Sequence, residues 1–116
     1  MVIVNPSSPL TSISEDDVQQ MFLGKKKDLG SGMLLPLDQP EGSDSRNRFY
    51  SEIIKKTEIQ LKSYWSRLIF TGKGQAPQVI GVDADIVNMI ATNPNLIGYI
   101  NADSLTDKVR AVYRHP

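Results

Sequence analysis

The stretch "LPLDQPEGSDSRNRFY", Leu35 to Tyr50, decides how this chain is read. An apolar run gives way to a turn through Pro40, Glu41 and Gly42, then to two serines, two arginines and an aromatic pair. A strand ending at Leu37, a tight turn and a helix starting near Ser43 is the grammar of an α/β unit. The junction has two readings. In one, Ser43 is only an N-cap, and Arg46 and Arg48 form a solvated face. In the other, the turn is an anion seat: free N–H groups at a helix start, with the dipole behind them, attract negative charge. Gly42 lets the backbone approach closely, Ser43 and Ser45 add hydroxyl donors, and Arg46 offers a bidentate grip. Such a seat lies beyond the carboxyl end of a strand, where open α/β sheets hold their ligands. Asp44 opposes it, because it puts negative charge where an anion would sit.

On either side of this stretch, strand and helix patterns alternate. "VIVN", from Val2, is a β-branched run suited to a buried strand. Ser14 begins a helix with Glu15, Asp16 and Asp17 at its positive end, Val18, Met21 and Phe22 on one face, and Gly24 as its stop. "MLLPL", Met33 to Leu37, is a strand with Pro36 at its end or edge. Phe49, Ile53 and Ile54 mark the buried face of the next helix. Thr57 and Gln60 form a capping box for another, with Leu61, Tyr64, Trp65 and Leu68 in one stripe. Tyr64, Trp65 and Phe70 read as core and rim. "VIGV" after the Gly/Pro loop at Thr71 to Gln78 is a brief strand, and Asp83 caps a helix carrying Ile86, Val87 and Ile90. "LIGYI" and "KVRAVY" are strands. The expectation is one α/β domain over residues 1–116, with helices covering a largely parallel sheet.

Composition narrows the function classes. The chain has 116 residues, 40% of them hydrophobic, enough for one compact core. Thirteen basic and thirteen acidic residues cancel, which argues against a nucleic-acid binder that works by bulk charge. Without cysteine there are no disulfides, thiolate metal sites or cysteine nucleophiles. No apolar run approaches the ~18 residues a bilayer requires. Met1 leads directly into a strand pattern, so the chain reads either as cytosolic or as an exported domain without its leader.

Other chemistry has little support. Gly72, Lys73 and Gly74 lack the spacing and the hydroxyl residue of a phosphate-binding P-loop, and read as a flexible basic loop. The acidic residues Glu15, Asp16 and Asp17, and Asp83 and Asp85, sit at helix starts, where acids are expected, and His115 is the sole histidine, so no metal site is assigned. There is no Gly-x-Ser-x-Gly elbow and no placed general base, so no catalytic residue and no cofactor is assigned either.

Four segments in order, "LTSISEDDVQQMFLGKKK", "LLPLDQPEGSDSRNRFY", "GKGQ" and "NPNLIGYI", resemble the phosphate-binding proteins of ABC transporters. The likeness runs over nearly the whole chain but matches one lobe of a two-lobed protein. It implies a single three-layer lobe of a type II periplasmic-binding-protein-like fold, with a mixed, mostly parallel sheet flanked by helices. It also implies export to the periplasm with the leader removed. The family's anion loop falls on Gly42, Ser43, Asp44 and Ser45. Gln39 stands where the family has an arginine, and Asp44 where it has a second glycine, with Arg46 nearby on the helix. The resemblance therefore implies weak binding of phosphate or a related oxyanion at Gln39, Gly42, Ser43, Asp44, Ser45 and Arg46, with an ABC permease or membrane sensor as partner. The alternative is an interaction or sensory module that keeps the lobe and has lost the ligand.

Overall fold

The computed structural model describes every residue except Ser31, Lys73 and Pro116, so the lysine of the Gly72–Gly74 loop lies outside the described residues. The strands are β1 (Val2–Val4), β2 (Leu35–Asp38), β3 (Gln78–Val79), β4 (Leu96–Tyr99) and β5 (Arg110–Tyr113). The helices are α1 (Glu15–Phe22), α2 (Asp44–Phe49), α3 (Glu58–Phe70) and α4 (Asp83–Ala91). A π-helical turn at Tyr50–Ile54 extends α2, and a 3-10 turn at Ala102–Ser104 follows β4.

The strands form one sheet in the order β3-β2-β4-β1-β5. β2 is parallel to β3 and β4, whereas β1 is antiparallel to β4 and β5. Four strands thus point one way and β1 runs against them, the mixed α/β lobe expected. β1 explains its own composition. Val2 and Val4 enter the core beneath α1 and α2, while Ile3 enters the core beneath α4. All three are fully buried, and burying such a side chain stabilises by about 1.5–3 kcal/mol. A strand buried on both faces needs no polar alternation.

Pro36 lies inside β2, and β2 is not an edge strand. Its position follows from where pairing begins. The Leu35 N–H points to β4, donating to the Asn95 carbonyl at 2.8 Å, so position 36 faces the other side. On that side β3 pairs only with Leu37 and Asp38, so the missing N–H of proline costs no ladder bond.

The layer of α1, α2, the π-turn and α3 covers one face of the sheet, and α4 covers the other. Ser14 and Thr57 cap α1 and α3 through the N–H groups of Asp17 and Gln60, both at 3.1 Å. Gly98 has a packing reason: a Cβ there would stand 2.8 Å from Ile86 Cγ2 and 3.0 Å from Ile90 Cδ1, so its absence lets α4 lie close on β4. Besides Pro36, which is neither at an end nor on an edge, and β2, which runs Leu35–Asp38 rather than Met33–Leu37, three details differ from the sequence reading. The helix after β3 starts at Asp83 itself, with Val82 at the N-cap position and its N–H held by Asp85 Oδ2 at 3.1 Å. The brief strand is Gln78–Val79, not the whole of "VIGV". Phe70 is not core or rim but 91% exposed, because α3 is anchored only through Leu61, Tyr64 and Trp65 and its last turn runs past the sheet.

Candidate functional site

Three parallel strands end at one edge, and the segments that follow them meet there. β2 leads to Gln39 and the start of α2, β3 leads to Asp83 at the start of α4, and β4 leads to Asn101 and Ser104. Side chains from all three segments converge on the Asp83 carboxylate. Gln39 Nε2 donates to its Oδ1 at 2.8 Å, and Ser45 Oγ to the same oxygen at 2.5 Å. The Asn101 N–H donates to Oδ2 at 3.0 Å and Ser104 Oγ at 2.7 Å. Burial works against the charge of this carboxylate, yet the bonds from Ser104, Ser45, Gln39 and Asn101 outweigh it and hold its pKa below the ordinary aspartate value. The arrangement is an oxyanion cradle of neutral donors, and the chain supplies the oxyanion.

Beneath the cradle lies a second carboxylate, Asp38, which is 4% exposed. It accepts from the hydroxyl of Tyr99, from Tyr50 Oη at 2.7 Å and from the Gln39 N–H at 2.8 Å. Arg46 Nη1 pairs with it at 3.0 Å. Burial first, and then the negative charge of Asp38, push both tyrosine hydroxyls well above the ordinary tyrosine value, so they remain donors. The aromatic core sets their positions: Phe49 stacks on Tyr99 at 3.9 Å between ring centres, and Phe22 meets both edge-on. The loop is thus bolted to the hydrophobic centre of the domain.

The sequence-predicted residues separate into groups here. Ser43 is the N-cap of α2, accepting from the Arg46 N–H at 3.1 Å, and it also donates to Gln39 Oε1 at 3.1 Å. The N-cap reading of Ser43 is therefore seen directly. Gly42 has φ +95°, a left-handed turn that glycine accommodates without strain. Asp44 is exposed and accepts from Asn101 Nδ2 at 3.0 Å. Gln39 and Ser45 are buried within the cradle. Arg46 is engaged elsewhere: Nε and Nη2 grip Glu58 at 2.9 and 3.1 Å, Nη1 donates to the Gln39 carbonyl at 3.0 Å, and the guanidinium lies over the Tyr50 ring at 4.9 Å. Burial alone would lower the Arg46 pKa, but Glu58 and Asp38 raise it above the ordinary arginine value; Arg46 in turn holds Glu58 below the ordinary glutamate value. The structure therefore joins Gln39, Ser43 and Ser45 in one network and gives the fork of Arg46 to Glu58.

Sequence reasoning did not assign Asp38, Tyr50, Glu58, Tyr99, Asn101 or Ser104 to this site, and it read Asp83 only as a helix cap. The N–H groups of Asp44 and Ser45 donate to no protein atom among the described residues. A cleft of about 690 Å³ opens beside them, lined by Ser45 and Asn101 together with Arg48, Arg114, Glu52 and Asp103.

Comparison with known proteins gives a fold and no closer kinship. No family model matches the sequence, and no curated protein matches it. Solved structures do. An ABC-type phosphate transport receptor from Vibrio cholerae superposes with TM-score 0.73 at 14% identity, over 96% of this chain and 43% of the receptor. A putative phosphate ABC transporter substrate-binding protein from Clostridium perfringens, solved with bound phosphate, gives 0.72 at 20% identity, over 96% and 42%. PstS from Borrelia burgdorferi gives 0.66 at 16%, over 94% and 44%. The chain has the fold of these phosphate receptors. It spans less than half of their length. Among the described residues, no helix is long and apolar enough to cross a membrane.

Proposed function

We propose that this domain is a non-enzymatic, solute-binding-type lobe that takes phosphate or a related oxyanion weakly at the loop from Gln39 to Arg46. It acts in the periplasm beside an ABC permease. The observation that carries the reading is the strand-to-helix turn at Gly42–Ser45, where the N–H groups of Asp44 and Ser45 donate to no protein atom among the described residues, at the carboxyl end of a parallel strand. The phosphate named with the Clostridium perfringens neighbour points to the ligand class. Weakness follows from two features. The fork of Arg46 is engaged by Glu58, and the cleft lined by Asp44 and Ser45 is open to solvent, where charge-assisted bonds are worth less than in a closed site. The test is a titration of the labelled protein with phosphate, sulfate and chloride, followed by amide shifts. Movement of Gly42 to Arg46 at millimolar phosphate, with chloride silent, is expected. Unmoved amides sink the reading.

A second reading has its own support. Asp83 already occupies the cradle, and Ile59, Ile69 and Phe70 stand exposed along α3. Both features suit an interaction or sensory module that has kept the lobe and given up the ligand. Mass in solution and capture of a permease or membrane sensor, with wild type and with Ile69→Asp/Phe70→Asp, test it. A lone monomer that binds phosphate defeats it.

A further inference from the structure

The cradle is full, and its occupant is a side chain of the chain itself. Both Asp83 oxygens receive two donors each, which satisfies the carboxylate as a bound oxyanion would be satisfied. Among the described residues no cation pairs with it, so neutral donors alone hold it. Two of those donors are deeply placed: Gln39 is 1% exposed and Ser45 6%. Gln39 is also fixed by its other bonds, donating to the Tyr99 carbonyl at 3.0 Å and accepting from Ser43. Gln39 therefore stays aimed at the cradle whatever fills it. The neighbouring cleft shares Ser45 and Asn101 with the cradle, which gives an outside ligand a way in and gives the further oxygens of a tetrahedral anion a place to extend.

We infer that Asp83 is the resident ligand and the gate of this cradle: its carboxylate excludes free oxyanions from these four donors, leaving only the weak site at the Asp44 and Ser45 N–H groups, and the same chain without that charge binds phosphate or sulfate between Gln39, Ser45, Asn101 and Ser104. The inference deepens the reading above and rests on it for the ligand class. Two like charges cannot share four donors, since repulsion at contact distance outweighs any single hydrogen bond. Truncation to Ala removes both the charge and the occupant. Conversion to Asn removes the charge and turns one acceptor into a donor, which mismatches the cradle and loosens the side chain.

The experiment compares wild type, Asp83→Ala and Asp83→Asn, titrated with phosphate, sulfate and chloride and followed through the backbone amides of Asn101 and Ser104 and the side-chain amide of Gln39. In wild type these three probes show no saturable shift. In Asp83→Ala they saturate with phosphate and with sulfate, with a dissociation constant at least about tenfold below the highest concentration at which wild type stays unsaturated, and chloride does nothing. Phosphate also raises the melting temperature of that variant more than it raises that of wild type. If Asp83→Ala does not fold, Asp83→Asn carries the same comparison, with the same tightening expected. A folded variant that binds no more tightly than wild type overturns the gate. The two readings separate cleanly. Wild-type shifts confined to Gly42–Arg46, with no gain in either variant, leave the weak site and remove the gate. A silent wild type with a binding variant keeps the gate and removes the weak site.

Discussion

Replacing Arg46 with Ala tests whether that side chain serves the fold or a ligand. Its side chain is 13% exposed and makes four close polar contacts: two on Glu58, one on Asp38 and one on the Gln39 carbonyl. Hydrogen bonds to charged groups are worth about 1.5–3 kcal/mol each, but they share one guanidinium and do not add. Glu58, 28% exposed on its side chain, rehydrates once released. Asp38, 5% exposed, cannot, although Tyr50, Tyr99 and the Gln39 N–H still satisfy it. The loss expected is therefore about 3–4 kcal/mol, as for a broken buried pair. In a chain of this size that is a fall in melting temperature of roughly 10–20 °C. Glu58→Gln, which keeps the shape and removes one charge at the more exposed end, costs about 1–1.5 kcal/mol. Arg46→Lys recovers little, because an ammonium cannot reproduce the fork. Urea unfolding of the four proteins in phosphate-free buffer gives the values directly. A cost below about 1 kcal/mol for Arg46→Ala refutes the structural assignment and returns the guanidinium to the solvated face or the ligand.

Two further predictions follow from geometry and charge. Gly98→Val drives a branched side chain into Ile86 and Ile90 and destabilises by about 1–3 kcal/mol or more, whereas Gly98→Ala costs less; thermal unfolding of both variants ranks them, and an unchanged Val variant contradicts the packing of α4 on β4. In acid, Asp83 and Glu58 take up protons in the unfolded chain near pH 4 and in the folded chain only lower, so the unfolded state binds more protons across that interval. Their share of stability is present above about pH 4 and is lost as pH falls through the folded values, and Asp83→Asn flattens the decline in urea midpoint measured from pH 5 to 3.

What the sequence made legible was local. Ser14, Ser43 and Thr57 announce their helices because a cap contacts an N–H three residues on. The strand-to-helix turn at Gly42 is equally short-range. The cradle is not local: Asp83 meets Ser45 across 38 positions, Gln39 across 44 and Ser104 across 21. An aspartate in the first turn of a helix already has a sufficient explanation in the dipole, so nothing in its neighbourhood marks it as a ligand. The partner of Arg46 is hidden from sequence for a related reason. Its partner Glu58 lies in the first turn of the next helix, and only the π-turn and the left-handed Lys55 between them bring the two together. Phe70 continues the helical stripe of α3 by spacing, but spacing says nothing about how far the sheet beneath extends.

The place of β1 has a consequence for how the domain comes into being. Val2–Val4 is the most buried strand and lies far ahead of both its neighbours, β4 and β5, in sequence, with Val2 opposite both Tyr99 and Tyr113. During synthesis, β1 is made about ninety residues before either partner exists. Until then its apolar faces and open edges are a hazard for mispairing and for chaperone capture. Closure across so long a span makes assembly of the sheet slow and cooperative, and it makes β5 the latch that seals β1.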